Sequence, residues 1–318
     1  MTRIFFTSDV HGSEKCFKKF LRAGSFYKVD VVILGGDITG KTVVPILESA
    51  NAGYTTSYLG EERSIAAGEL EGFMETVRDS GGYPYVTSAG ELEALSSDKG
   101  KLDALFVKLM TESLDRWVKM AEEKLGGSGM QCYIMLGNDD HPDLQRCLAH
   151  SQTVVNPENR VINLHDNYVM ISTGLSNPTP WNTYREVTEE RLSEAVEKMT
   201  CQVDSMEKCI FNFHCPPFGA LDEAPRLERT KDGQLKPVLL KGSGIELISV
   251  GSTTIRNSIE KYQPLMGLHG HIHEAKGVQT IGRTHCFNPG SEYQEGILRG
   301  VVINLDGKRV KGFVFTRG

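Results

Sequence analysis

The sequence lacks the features that mark membrane and secreted proteins. No stretch of its 318 residues approaches the roughly 18 uninterrupted apolar residues of a membrane span. The first residues, MTRIFFTSDVHG, become polar and glycine-bearing too soon for the apolar region of a signal peptide. We therefore expect a soluble, cytoplasmic protein that does not enter a membrane.

Cysteine pairs and a surplus of positive charge are also missing. The seven cysteines are scattered and form no CxxC pair, which excludes a disulfide framework and a zinc ribbon. With 41 acidic and 35 basic side chains the net charge is −6, so no overall field attracts a phosphate backbone. The composition gives no strong nucleic-acid signal and disfavours bulk nucleic-acid binding, although it leaves room for a small local site.

The sequence does contain a series of short apolar runs that stop at polar or glycine residues. Such runs predict buried strands. They cover residues 4–7, 29–34, 133–136, 168–172, 209–213 and 265–268. In open α/β sheets, ligands bind beyond the carboxyl ends of the strands. Because polar, chemically active residues follow each run directly, we expect residues from the whole chain to converge on one site.

The candidate site residues extend from Asp9 to His273, so we expect a single domain over residues 1–318. From Asp37 to Asn138 there are 101 positions, whereas one crossover needs only about 30 residues. An amphipathic helix predicted over residues 101–125 fills part of this stretch. Residues 51–100, which read as less regular, are expected to form an inserted cap; a surface excursion without function is the alternative.

Five short motifs supply candidate ligands, each at the end of a predicted strand. Alone, each motif has an ordinary explanation, such as a turn residue, a helix cap or a buried histidine. Their joint occurrence, in order, points instead to a shared site. The candidates are Asp9 and His11 in D-x-H, Asp37 in GGD, Asn138 in GND, His214 after IFNF, and His271 and His273 in G-H-x-H.

Together these side chains offer two carboxylates, four imidazoles and one amide oxygen. That set suits two borderline divalent ions such as manganese, iron or zinc. It is too rich in nitrogen for magnesium or calcium, and too poor in thiolates for a structural zinc site. Asp37 is the natural bridge, because a carboxylate can present one oxygen to each ion. Two ions about 3.5 to 4 Å apart activate water and stabilise the attacking and leaving oxygens, which is the chemistry of phosphoester hydrolysis.

In this order, D-x-H, GD, GN, a single His and G-H-x-H resemble the motifs of the calcineurin-like metallophosphoesterase superfamily, over residues 2 to about 304. The resemblance implies an α/β fold, an α+β four-layer sandwich of two mixed β-sheets packed face to face and flanked by helices. The inserted segment then lies between the second and third motifs. The later NPGS, residues 288–291, resembles a stretch common in the smaller bacterial and archaeal members.

The resemblance also implies that the chain is a dinuclear metal-dependent phosphoric ester hydrolase, and it assigns the ligands. On the family pattern Asp9, His11 and His273 hold one metal, Asn138, His214 and His271 hold the other, and Asp37 bridges the two.

The sequence departs from the family where many members have GNH, because here it reads GNDD with Asp139 at the histidine position. An ordinary aspartate, with a pKa of about 3.9, is ionised at neutral pH, so it cannot donate a proton and it repels a phosphate. Three alternatives stay open: burial keeps Asp139 protonated, His141 takes over the role, or the leaving group needs no protonation. Asn138, Asp139 and His141 are therefore the candidate catalytic residues, and Asp140 is expected to cap a helix ahead of Pro142.

The expected function is hydrolysis of a phosphoester, with a phosphodiester or nucleotide-like small molecule favoured over an alkyl monoester, by attack of a metal-bridging hydroxide. The alternative is a catalytically weak protein of the same fold that acts as a binding or interaction module, as the missing histidine and the insertion suggest. The complete ligand set favours the enzyme, because a scaffold has no physical need of seven converging ligands.

Overall fold

The computed structural model describes residues 1–49, 53–240 and 244–318. Its strands are β1 (Thr2–Thr7), β2 (Val31–Gly35), β3 (Thr42–Ser49), β4 (Gly53–Tyr58), β5 (Glu61–Ala66), β6 (Gly82–Thr87), β7 (Gln131–Met135), β8 (Val154–Val155), β9 (Val161–Asn163), β10 (Val169–Thr173), β11 (Cys209–Phe213), β12 (Glu223–Pro225), β13 (Leu227–Arg229), β14 (Leu235–Pro237), β15 (Leu247–Ser249), β16 (Met266–Leu268), β17 (Gly277–Ile281), β18 (Thr284–Asn288), β19 (Arg299–Asp306) and β20 (Arg309–Arg317). The α-helices are α1 (Glu14–Tyr27), α2 (Leu70–Asp79), α3 (Ala89–Ser96), α4 (Lys99–Leu125), α5 (Gln145–Ala149), α6 (Glu189–Thr200) and α7 (Thr253–Tyr262).

Two six-stranded mixed sheets form the centre of the protein. The first has the order β20-β19-β1-β2-β7-β8, and the second has the order β17-β18-β16-β11-β10-β9. The pairs β1–β2 and β2–β7 are parallel in the first sheet, as are β10–β11, β11–β16 and β16–β18 in the second. The carboxyl ends of these strands therefore lie along one edge of each sheet, where the predicted ligand motifs follow them.

Alternate residues of a strand point to opposite sides of its sheet. Apolar side chains therefore lie on both faces of each sheet, and both faces are covered. In β1, Ile4 and Phe6 pack between the two sheets, while Phe5 packs outward against α1 and α4. On that outer side the rings of Phe17 and Trp117 stack with centroids 4.2 Å apart. Helices α6 and α7 cover the far side of the second sheet through apolar residues that include Leu192, Val196, Ile255 and Ile259. The result is the helix–sheet–sheet–helix sandwich expected from the sequence, so the predicted fold class is confirmed.

The stretch between β2 and α4 contains a smaller, four-stranded sheet of order β5-β4-β3-β6, with α2 packed against it. Its own small core contains Val44, Tyr58 and Val77, with Phe73 against them. The described part of this stretch is thus more regular than its composition suggested. Residues 50–52 and 241–243 lie outside the described residues, so the start of the predicted 51–100 insertion is not described.

The small sheet meets the first sheet at a point where two backbones nearly touch. A Cβ on Gly12, which has a φ of +77°, would lie 2.7 Å from the Cα of Gly40 and 2.9 Å from the carbonyl oxygen of Gly81. The backbone N–H of Gly40 donates to the hydroxyl of Tyr83 at 2.8 Å. Only glycine therefore fits at position 12, directly after the first ligand motif.

Other sequence expectations agree with the structure to within a few residues. The predicted strand at residues 209–213 has the observed bounds, and the helix predicted over residues 101–125 begins two residues earlier. The cysteines are free thiols in the described residues, and six of the seven are buried. Among the helices of the described residues, none combines the length and apolar character that a membrane crossing requires.

Candidate metal centre

The ligand-bearing loops turn sharply as they leave the strands. Asp9, His11, Asp37 and His271 all have positive φ angles, of 57°, 38°, 50° and 68°. Residues other than glycine rarely adopt this conformation, and where it persists the surrounding structure holds it in place. Here the loops support one another: the N–H of His11 donates to the carbonyl of Asp37 at 3.0 Å, and the carboxylate of Asp9 accepts from the N–H of His271 at 3.0 Å.

Asp9, His11 and His273 form the first group of converging candidate ligands. The Nε2 atoms of His11 and His273 are 3.0 Å apart. Oδ1 of Asp9 is 3.5 Å from Nε2 of His273 and 4.0 Å from that of His11. One donor atom from each residue lies within 4.8 Å of the other two, so the three side chains that the family pattern assigns to one metal do converge.

Asp37, His214 and His271 form the second group, again with donor atoms within 4.8 Å of one another. Oδ1 of Asp37 is 3.3 Å from Nε2 of His214. Nδ1 of His214 donates to the carbonyl oxygen of Gly35 at 2.9 Å, which turns Nε2 toward the site. Such a backbone acceptor is the usual support for a metal-binding imidazole.

Asn138 directly precedes Asp139, whose N–H donates to Oδ1 of Asp37. Nδ2 of Asn138 donates to Oγ1 of Thr183 at 2.8 Å and to Oδ1 of Asp139 at 3.1 Å. Oδ1 of Asn138 is buried and has no hydrogen-bond partner within the described ranges. A buried, unpartnered oxygen is costly unless a ligand uses it, and a divalent ion is such a ligand.

Asp37 lies between the two groups. Its Oδ1 faces His214 at 3.3 Å and its Oδ2 faces Nε2 of His11 at 3.8 Å. One oxygen is therefore directed to each group, which is the arrangement a bridging carboxylate requires.

The electrostatics of the site also favour cations. Burial would raise the pKa of Asp9, but its hydrogen bond to His273 and the charge of His214 lower that pKa to about 2. Burial lowers the pKa of His11 to about 3 and that of His271 to about 4, so both imidazoles are neutral at pH 7. Burial would also lower the pKa of His214, but the neighbouring charge of Asp37 outweighs it and raises the pKa to about 10. The ionised carboxylate of Asp9 and the neutral imidazoles of His11 and His271 are donors that borderline divalent ions bind. His214 is protonated at pH 7 without a metal, so binding an ion there must release its proton.

Asp140 does not cap a helix, contrary to the expectation from its position before Pro142. Its fully buried carboxylate accepts from the backbone N–H of Ile38 at 3.0 Å, Thr39 at 2.8 Å and Gly137 at 2.7 Å, and from the hydroxyl of Thr39. These bonds tie the loop that carries Asp37 to the loop that carries Asn138. The capping expectation was wrong because Asp140 turns back to Gly137 and to the backbone donors of Ile38 and Thr39, which lie about a hundred residues earlier in the chain.

The NPGS stretch supports the G-H-x-H loop. Nδ2 of Asn288 donates to the carbonyl oxygens of Gly270 at 3.1 Å and Ile272 at 3.0 Å. The hydroxyl of Ser291 donates to the carbonyl oxygen of Asp9 at 2.6 Å. Sequence reasoning noted this stretch only as a resemblance; its side chains fix the loops on either side of the first ligand group.

Asp139 borders the ligands. Its N–H donates to Oδ1 of Asp37 at 3.0 Å, and its carboxylate groups with His11 and Asp37 within 4.8 Å. The ammonium of Lys41 forms an ion pair with Oδ2 of Asp139. Burial and then the charge of Asp37 raise the pKa of Asp139 to about 6, against the opposing effect of Lys41.

His141 is held differently from Asp139. Its Nδ1 accepts from the N–H of Asp143 at 3.3 Å, and its ring packs edge-on against Tyr184 with centroids 5.0 Å apart. A catalytic role for His141 stays a prediction, as do those of Asp139 and Asn138.

Two residues near the ligands escaped sequence reasoning. Lys41 lies four positions after Asp37 in the same loop, and that proximity was the only signal in the sequence. The ring of Tyr293 packs against His11 with centroids 4.8 Å apart. Tyr293 and Ser291 also line a cavity of about 730 Å³ that reaches His273, so a ligand has room beside the first ligand group.

Comparison with known proteins supports the fold. No family model matches the chain. A curated relative, the uncharacterized protein MJ1162 of Methanocaldococcus jannaschii, is 29% identical over 126 residues, which are 39% of this chain and 49% of the relative. The match thus spans about half of that relative's length.

Among solved structures, TT1561 of Thermus thermophilus has a TM-score of 0.52 at 14% identity, and the alignment covers 100% of this chain and 98% of that one. A structure described as that of a novel archaeal phosphodiesterase is more distant, with a TM-score of 0.35 at 12% identity over 99% of this chain and 100% of its own. The alignment with TT1561, which spans nearly the full length of both chains, shows that the two proteins share a fold.

Proposed function

We propose that this chain is a dinuclear metal-dependent phosphoric ester hydrolase that acts on a small phosphoester, with a phosphodiester or nucleotide-like molecule as the favoured substrate. The observation that carries the proposal is the position of Asp37, whose two carboxylate oxygens face two separate groups of ligands. A single structural ion needs no such bridge.

The residues fit two ions of the borderline class, manganese, iron or zinc. Asp9, His11 and His273 would hold one ion, Asn138, His214 and His271 the other, and Asp37 both. When bound, such a pair supplies activated water at neutral pH and neutralises charge on the phosphoryl oxygens. The protein fixes the ligand orientations through Gly35, Asp140 and Asn288.

The surroundings of Asp139 favour a diester over an alkyl monoester. The ion pair with Lys41 favours the ionised form of Asp139, and an ionised carboxylate has no proton to give to a leaving group. Substrates whose leaving group departs without protonation need no such donor. His141 is the remaining candidate for that role if alkyl monoesters prove to be substrates.

The first test is elemental analysis of the purified protein, followed by a manganese-supplemented screen of phosphomonoesters, cyclic nucleotides and bis-phenyl phosphodiesters. We expect two ions per chain and turnover of a diester. The Asp37→Ala variant should lose metal and fall to background turnover, because both ligand groups lose their shared carboxylate. Asp232→Ala, an exposed aspartate in the β13–β14 turn, is the matched control and should behave as the unaltered protein.

A protein that binds two ions yet hydrolyses none of these esters would contradict the proposal. That outcome would favour the alternative function, a binding or interaction module of the same fold.

We also propose that residues 51–100 form an insertion within a single domain of residues 1–318 and that it caps the site. Three contacts support this: Ser13 donates its hydroxyl proton to the carbonyl oxygen of Asp79 at 2.6 Å, Tyr83 accepts from Gly40, and Gly81 approaches Gly12. Calorimetry should then show one cooperative unfolding transition. A separate transition for the small sheet would contradict the single-domain assignment.

A further inference from the structure

The position that carries a histidine in the family pattern that the sequence resembles is occupied here by an aspartate in an ion pair. Asp139 follows Asn138 directly, and its Oδ2 contacts the ammonium of Lys41. The two residues come from different loops, one after β2 and one after β7, and those strands are parallel neighbours in the first sheet. The pair is therefore formed by the fold, and the GNDD motif alone does not reveal it.

The pair lies beside the ligands. The N–H of Asp139 donates to Oδ1 of Asp37, and the carboxylate of Asp139 groups with His11 and Asp37 within 4.8 Å. Asp139 is largely buried, with 14% of its side chain exposed, whereas 48% of the Lys41 side chain is exposed. The cation is thus on the open side of the pair, where a ligand can reach it.

The ammonium has more donors than Asp139 uses. A lysine ammonium carries three N–H donors and no acceptor. Bonds to Asp139 hold the group in place, and at least one donor remains for a phosphate oxygen. A compact positive charge with free donors is a common phosphate-binding group in proteins.

We propose that Lys41, oriented by Asp139, binds a phosphate oxygen of the substrate and so replaces the missing histidine. This inference rests on the proposed function and assigns a specific substrate contact within it. Lys41 is then a substrate-binding residue and Asp139 a positioning residue. The pairing also removes the objection that an ionised Asp139 repels phosphate, because its charge is neutralised by its partner.

A purely structural role for Lys41, as the counter-charge of Asp139, predicts different behaviour. In that case removing both charges together should leave phosphate binding unchanged. If Lys41 binds phosphate, removing both charges should still weaken binding. The double variant Lys41→Met/Asp139→Asn therefore separates the two roles.

The experiment measures the Kd of inorganic phosphate for the metal-loaded protein by isothermal titration calorimetry, with the metal content of every variant determined in parallel. We expect Lys41→Met and the double variant to bind phosphate about 10- to 100-fold more weakly, since a charge-assisted hydrogen bond is lost. Lys41→Arg should recover much of the affinity, because it keeps the charge. Lys108→Met is the control: it makes the same charge change on α4, where Lys108 faces Glu112, and should not alter the Kd.

Each result bears on the inference. If the double variant binds two ions and holds phosphate as tightly as the unaltered protein, Lys41 is not a phosphate ligand. If Lys41→Met loses metal as well as phosphate affinity, while the double variant regains both, the role is structural and the inference is overturned. If the unaltered protein itself binds no metal, the proposed function fails first, and this inference fails with it.

Discussion

Asp140 allows a direct test of how the two ligand loops are held together. In Asp140→Ala, the N–H groups of Ile38, Thr39 and Gly137 lose a buried acceptor at once. A buried donor left unsatisfied costs about 1–3 kcal/mol. Burial and the charge of Asp37 raise the pKa of Asp140, so the ionised carboxylate itself carries a penalty that offsets part of its hydrogen-bond energy.

We therefore expect Asp140→Ala to lower the free energy of unfolding by about 2–4 kcal/mol, less than the simple sum of three broken bonds. The free energy of unfolding is measured by urea denaturation of the metal-free protein at pH 7, with circular dichroism as the probe. Metal content should fall as well, because Asp37 and Asn138 no longer share a fixed spacing; loss of such supporting contacts typically weakens metal affinity about 10- to 100-fold.

Asp143→Ala is the matched control, since that aspartate lies three residues away with 64% of its side chain exposed, and it should change stability by under about 0.5 kcal/mol. If the free energy of unfolding of Asp140→Ala lies within about 0.5 kcal/mol of that of the unaltered protein and the variant still binds two ions, Asp140 does not hold the two ligand loops together.

Two further predictions concern other buried and half-buried carboxylates. Glu158 pairs with Arg185 in the interior, and Arg185 also donates to the carbonyl oxygen of Gly137 at 3.0 Å. Glu158→Ala should lower the free energy of unfolding in urea by about 3–5 kcal/mol, because it leaves a buried, uncompensated cation. A loss below about 1 kcal/mol would contradict this. Glu189 accepts from the hydroxyl of Ser252 and from two backbone N–H groups at the start of α7, and these bonds outweigh its partial burial and lower its pKa below the usual 4.5. The stabilisation that Glu189 contributes is therefore present above about pH 4.5 and is lost as pH falls through the lower folded-state pKa. Glu189→Gln should reduce the free energy of unfolding at pH 7 by under about 1 kcal/mol. It should also flatten the dependence of that free energy on pH below 4.5. An unchanged pH profile in the variant would refute the assignment.

The sequence by itself determined the fold class and the ligand candidates. Each ligand follows directly on a short apolar run, and the observed strands end within a residue or two of those runs. Parallel neighbouring strands present their carboxyl ends at the same edge of a sheet. The strand pattern and the order of the motifs therefore predict that Asp9, Asp37 and His273 converge. The structure brings these side chains together.

The packing of distant segments decided the rest. Asp140 was expected to cap the helix ahead, because local spacing favours that role; in the structure it serves donors near Thr39, on the neighbouring strand's loop. The partner of Asp139 depends equally on which loop lies beside it, and that loop supplies Lys41. Side-chain contacts of this kind depend on the register and spacing of strands far apart in the chain, and no local periodicity encodes them.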